Sequence, residues 1–239
     1  GNVATATAST AYSVANSCRF NDGDSPKLTR TFGSAGNQVA WTISMWVKRG
    51  ILGTAQPLWS RYQSSDYGTI GTFNSDDTFT FKQWFEGSDS GVLTTNRVFR
   101  DCSAWYNIIC VWNSGDSTAG DRMKLFINGA EETSFSTDTN PPEDQASTWN
   151  TAHPMIFGNS ESTYFDGYLA EVVFYDGVAV SNANLFGEFD SDSPTIWKPI
   201  DVSELTPGTN GVYFDFETSG TLGNDAFGGT DWTATNLAA

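Results

Sequence analysis

Apolar residues recur at every second position at Met123, Leu125 and Ile127, and the run stops at Asn128-Gly129. That dipeptide supplies the two residues of positive φ that a type I′ turn requires, so the pattern predicts a strand closing into a tight hairpin. The stretch from Trp41 to Lys48 has the same period, with Trp41, Ile43, Met45 and Val47 on one face and Thr42, Ser44, Trp46 and Lys48 on the other. It predicts a sandwich strand with one face in the core. The run WYNIICVWN, from Trp105, is apolar on both faces, the pattern of a central strand covered on each side. From Tyr168 to Tyr175 a single acid, Glu171, stands among apolar or small residues, which predicts a further buried strand. Shorter strands are expected at QPLWSRY, YGTIGTF and TFTFKQWF. The alternation of Val212, Phe214 and Phe216 predicts a final strand lying beside the one that carries Phe20.

Between these strands the chain is rich in turn formers. Residues 136–153, with Pro141 and Pro142 and no period, predict a long surface loop. The segment VSNANLFGEF offers Ser181 as an N-cap ahead of one or two helical turns and is the one place that reads as helix. Roughly ten to twelve short strands with one short helix make an all-β protein, a two-sheet antiparallel β-sandwich of jelly-roll type. Residues 1–16 are small and polar and read as an extended N-terminal arm or linker; residues 17–217 form the sandwich domain. Residues 218–239 form a Gly/Asp/Thr-rich segment that packs on the domain or links to a further module. A start at Gly1-Asn2, without methionine or a basic-then-apolar leader, is expected of an excerpt or of a chain whose true start has been removed.

Charge changes the picture of possible partners. The 12 basic and 28 acidic residues give a net charge of -16, which repels phosphates over most of the surface, so no nucleic acid is expected as a partner. No window reaches the roughly 18 uninterrupted apolar residues of a membrane span, so no membrane insertion is expected. Cys18, Cys102 and Cys110 form no CxxC pair, and no disulfide framework is indicated.

Between Ser17 and Asp190 the segments RFNDGDSPKLTRTF, WTISMWVKRG, WYNIICVWN, MKLFINGAEE and YFDGYLAEVVFYDG follow one another. This order resembles the laminin-G-like, concanavalin A-like jelly-roll family, in which an NG hairpin is followed by a strand of the form F-x-G-x-hydrophobic-x-E-hydrophobic. It is most similar to the version found in structural proteins of bacteriophages, marine ones especially. The tail FDFETSGTLGNDAFGGTDWTATNL is similar to a segment that follows such domains there. The resemblance implies a non-enzymatic, lectin-like module on a tail fibre, tail tip or capsid surface, hence extracellular. Its partners would be a host glycan or cell-surface polysaccharide and other virion proteins, and it would form a homo-oligomer. A purely structural decoration or assembly domain is the alternative, and a glucan hydrolase a third reading.

Sugar recognition uses flat aromatic faces with amide and carboxylate groups that orient hydroxyls. Trp59, Tyr62, Tyr67 and Trp84, interleaved with Arg61, Gln63, Asp66, Asp76 and Gln83, have that mix; Trp59, Tyr62, Tyr67, Trp84, Arg61 and Asp66 are the candidate carbohydrate-binding residues. The competing reading for each tryptophan is packing, with Trp41, Trp105 and Trp112 the expected core members. No cofactor is expected. Calcium enters through Asp22 and Asp24 in the string NDGD, or Asp166 before Gly167, where the competing reading is that Asx residues simply make turns. No catalytic residue is assigned. Glycoside hydrolysis needs two facing carboxylates, and the nearest string, with Glu188, Asp190 and Asp192, lacks flanking strand character. Glu171 is expected at the sheet edge or on a backbone hydrogen bond, and His153 in a loop with no nucleophile beside it.

Overall fold

Asn128 (φ 50°) and Gly129 (φ 80°) both take left-handed backbone, and the strand Met123–Ile127 turns there onto Ala130–Glu131 with Ile127 opposite Ala130. The predicted I′ hairpin is present. The structure is a computed structural model that describes residues 12–237. Its strands form two large antiparallel sheets and two short two-stranded ones, Asn159–Ser160 with Thr163–Tyr164 and Gly187–Phe189 with Trp197–Pro199. A seven-stranded sheet runs in the order Cys18–Phe20, Gly167–Asp176, Ala40–Arg49, Tyr106–Asn113, Met123–Ile127, Ala130–Glu131, with Val212–Phe214 on Gly167–Asp176. An eight-stranded sheet runs Phe135–Thr139, Ser88–Val98, Thr78–Phe85, Tyr67–Phe73, Gln56–Ser64, Pro154–Phe157, Lys27–Thr31, Thr233–Thr235. The two faces that meet carry the alternating apolar residues, as in a sandwich.

The inner core is aromatic. Trp41 stacks on Trp112 with ring centroids 6.2 Å apart and planes 6° apart, and meets Trp59 edge-on at 5.8 Å. Ile43, Met45, Val47, Phe81, Phe157 and Phe174 fill the space around them. The other face of Ala40–Arg49 is covered too, which corrects the expectation of a single buried face. Trp46, Ile109, Val111, Phe126 and Val173 pack against Val180, Phe186, Trp197 and Val202 from the chain that follows the Gly167–Asp176 strand. The seven-stranded sheet is therefore a middle layer, with the 178–205 segment on its outside. Trp105 is half-buried against this second cluster rather than in the inner core.

Several other expectations are corrected. The helix at 180–189 is a single 3-10 turn, Ala183–Leu185, and its cap is Asn182, whose side chain accepts from Asn184 N, not Ser181. The strands Cys18–Phe20 and Val212–Phe214 do not lie side by side. They pair in tandem along one edge of Gly167–Asp176, the first against Gly167–Leu169 and the second against Val172–Phe174. Between them the register of the long strand shifts, and Glu171 takes φ 48°, a β-bulge at the seam. Residues 136–153 are not a surface loop throughout. Phe135–Thr139 is an edge strand, and beyond it Trp149 is 0% exposed, 5.1 Å from Trp59. The descent is held by polar side chains, with Thr148 N donating to Gln83 Oε1 (2.8 Å), Asn150 Nδ2 to Asp176 Oδ1, and Asn210 Nδ2 to Asn150 Oδ1 (2.8 Å).

The ends of the chain wrap the sandwich. Residues 1–11 of the arm lie outside the described residues; from Tyr12 to Ser17 the chain has no regular structure, and Val14 packs on the outer cluster. The C-terminal segment packs on the domain, with Trp232 in the inner core and Thr233–Thr235 as an edge strand on Lys27–Thr31.

Candidate functional site

The outer face of the eight-stranded sheet carries the site. Thr78–Phe85 turns onto Ser88–Val98 through Glu86 (φ 52°) and Gly87 (φ 74°), which sets Trp84 opposite Asp89 and Gly68 opposite Trp84 on the neighbouring strand. Side chains alternate along each strand, so Tyr62, Ile70, Lys82 and Trp84 share the outward face. Gly68 has no side chain to hold the indole off: a Cβ there would lie 1.9 Å from Trp84 Cζ2. Trp84 therefore lies flat on the backbone, its Nε1 donating to Ser64 O at 3.2 Å and its ring 6.0 Å from that of Tyr62.

Around these rings is a groove of 460 Å³ lined by Tyr62, Ile70, Lys82, Trp84, Asp89 and Glu161, with Ser65 and Ser160 at its margin. This volume is in the range of small-molecule sites, roughly 300–1,000 Å³. Lys82 Nζ pairs with Asp89 Oδ1 at 2.7 Å and lies 6.0 Å from the Trp84 ring centroid. The Tyr62 phenol, 37% exposed as a residue, is pushed up from its ordinary pKa by hydrogen bonding to Glu161. The arrangement offers an indole platform, a second ring at an angle, hydroxyls, one ammonium and two carboxylates.

Of the six sequence candidates, the structure brings Tyr62 and Trp84 together and sends the others elsewhere. Trp59 is 0% exposed and belongs to the inner core, which corrects its assignment to a sugar site. Arg61 is on the inward face and buried; its Nη2 donates to Gln63 Oε1, while Nε and Nη1 find no partner among the described residues, and burial pushes the guanidinium down to about 10. Tyr67 alternates with Gly68 and so faces the opposite side of the sheet, its ring 5.1 Å from that of Phe85. Asp66 is exposed at the hairpin tip, where its carbonyl accepts from Gly87 N at 3.1 Å, beside the groove rather than in it. Lys82, Asp89 and Glu161 were not singled out from sequence. Parity places Lys82 beside Trp84, and a two-residue turn at Glu86-Gly87 would have set Asp89 opposite it. Glu161 comes from a hairpin far along the chain, and no local signal reaches it.

The remaining candidates lie away from the groove. Asp22 and Asp24 lie in an exposed 3-10 turn where Asn21 Nδ2 donates to Asp24 Oδ2 at 2.6 Å. Among the described residues no cluster of His, Cys, Asp and Glu side chains is arranged to hold a metal ion. Asp166 pairs with Arg19 at 2.9 Å. Asp190 caps a turn by accepting from Asp192 N and Ser193 N, and with Glu188 it pairs with Lys198. Glu171 is neither at an open edge nor on a backbone donor. Buried at the bulge, it accepts from Tyr213 Oη at 2.6 Å and Tyr12 Oη at 2.9 Å, and burial raises its pKa.

A second concavity of 310 Å³ lies on the other side of the molecule, with Trp46, Ala170 and Trp105 as floor and walls from Val14, Asn16 and Pro199. Its lining among the described residues is mostly apolar, with Asn16 and Ser17 as the polar members and no charged side chain, so it offers fewer groups to orient sugar hydroxyls than the groove on Trp84.

Comparison with known proteins gives a consistent fold. A family model described as Laminin_G_3, concanavalin A-like lectin/glucanases superfamily, matches residues 21–184. No curated protein sequence matches the chain. Among solved structures, domains LG4-5 of the mouse laminin alpha1 chain align with TM-score 0.52 and 9% identity over 87% of this chain and 49% of that one. A protein described as a carbohydrate-binding candidate from Bacteroides ovatus aligns with TM-score 0.47 and 13% identity over 89% of this chain and 59% of that one. A heptameric SAP-like pentraxin from Limulus polyphemus aligns with TM-score 0.47 and 17% identity over 65% and 71%. The chain thus spans about half the length of the laminin structure, and at these identities the likeness is one of fold.

Proposed function

Because the chain belongs to the concanavalin A-like lectin/glucanases superfamily, we propose that it is a non-enzymatic, lectin-like module that binds a glycan in the groove built on Trp84 and Tyr62. The observation that carries this reading is the flat indole of Trp84, seated on Gly68 with hydroxyl and carboxylate groups around it. An apolar platform takes the C–H face of a sugar ring, and the polar rim exchanges hydrogen bonds with its hydroxyls. Of the acids considered for hydrolysis, Glu188, Asp190 and Glu171 are engaged with Lys198, turn amides or tyrosine hydroxyls, which favours binding over turnover.

The proposed setting is an extracellular virion surface, such as a tail fibre, tail tip or capsid decoration, where host polysaccharide is the ligand and further virion proteins and copies of the chain are neighbours. It is supported by the sequence likeness of residues 214–237 to phage structural proteins. A second reading, a purely structural decoration, is favoured by apolar residues exposed on the outer layer, Phe189 at 47% and Ile196 at 56%. Retention of the protein on immobilised polysaccharides separates the two. The binding reading predicts retention that falls roughly thirtyfold in affinity or more for Trp84→Ala. Absence of retention on every glycan offered, or retention untouched by Trp84→Ala, overturns it.

A further inference from the structure

The walls of the groove are unequal in charge. Lys82 is already paired with Asp89, which leaves Glu161 as the lining acid with no ion pair among the described residues. Asp66 and Glu86, exposed on the two hairpin tips that meet at Gly87, add negative charge beside it, and the whole chain carries -16. An acidic sugar approaching this face meets repulsion; a cationic one is attracted. Glu161 accepts from the Tyr62 hydroxyl, and the Tyr62 ring lies 6.0 Å from Trp84, so the platform and a carboxylate with no cation beside it among the described residues share one small region. An ammonium on a ring stacked against the indole is also drawn to the π face itself.

Resting on the glycan-binding reading, we propose that the groove selects amine-bearing glycans, polymers of unacetylated hexosamine, with the ring on Trp84 and the ammonium against Glu161. The acetylated polymer presents an uncharged amide at the same position and has nothing to give that carboxylate. A uronate polymer presents like charge.

Calorimetric titration at pH 6 with three oligosaccharides of equal length, a glucosamine oligomer, its N-acetylated form and a uronate oligomer, tests this. The wild type is expected to bind the amine form roughly two- to fivefold tighter than the acetylated form, and the uronate weakest. In Glu161→Gln the ratio of amine to acetylated affinity falls to about one, with an unchanged melting temperature because the side chain is exposed. Asp192→Asn removes the same charge from a loop over the opposite sheet and keeps the ratio. Equal affinities in the wild type, a preference that survives Glu161→Gln, or an equal drop in Asp192→Asn overturns the selectivity. If none of the three oligomers or any neutral glycan binds, the glycan-binding reading fails and this inference with it.

Discussion

Gly68 decides how Trp84 is presented. Any side chain there collides with the indole, so Gly68→Ala should lift the ring from the sheet and weaken glycan binding as Trp84→Ala does, while melting within a few degrees of wild type. Trp59 behaves oppositely: fully buried against Trp41 and Trp149, its replacement by alanine should cost about 3–5 kcal/mol in denaturant unfolding. Glu171 gives a pH prediction. Its carboxyl is raised by burial in the folded state, so the native protein holds a proton that the unfolded chain releases above its ordinary value of 4.5. Stability from this group is fully present below that value and is lost as pH rises through the raised folded pKa. Glu171→Gln should remove that loss, and the difference between the two unfolding free energies as a function of pH measures it. Part of the site was legible in these residues. Tyr62 and Trp84 stood out by type, and parity already separates Trp59 from Tyr62 on one strand, but setting Tyr67 apart from Trp84 takes the register between two strands, and aromatic content alone did not reveal which face turned inward. Arg61 is hidden for the same reason: it follows the parity of Trp59.

At the scale of elements, the Asn128-Gly129 turn holds more than its hairpin. Gly129 has φ 80°, and a Cβ on it would lie 2.2 Å from Trp197 Cε3, so Gly129→Ala meets backbone strain and the outer layer at once. A loss of roughly 1–2 kcal/mol is expected, read by denaturant unfolding. This turn and the Ala40–Arg49 strand were legible because their signals are local: a dipeptide of known φ preference and a period of two. The descent of Trp149 was not. Its backbone groups are satisfied by Gln83, Gln38 and neighbouring side chains rather than by a ladder, which leaves no period to read. The missing helix has a related cause. Asn182 takes the cap, and Gly187 begins a short strand paired with Trp197–Pro199, so tertiary pairing overrides a weak helical start. The tandem pairing of Cys18–Phe20 and Val212–Phe214 on one edge depends on the bulge at Glu171, and a single strand's pattern does not announce a bulge on that strand.

At the scale of the molecule, the sandwich has two unlike outer surfaces. The seven-stranded sheet is roofed by residues 178–205 and the Tyr12–Ser17 segment, whereas the eight-stranded sheet leaves Tyr62, Lys82 and Trp84 facing outward. Both surfaces have a concavity, and the proposed glycan site is the one on the eight-stranded sheet, built on Trp84 and Tyr62. The nine tryptophans can report on that choice, since each indole N–H contributes its own resonance to a nitrogen–proton correlation spectrum. With a bound oligosaccharide at saturation, the resonance assigned to Trp84 by its loss in Trp84→Phe should move, and those of the buried Trp41, Trp59, Trp112 and Trp149 should stay in place. A Trp84 resonance that stays still while those of Trp46 and Trp105 move would put the ligand in the apolar cleft on the other sheet and contradict the account.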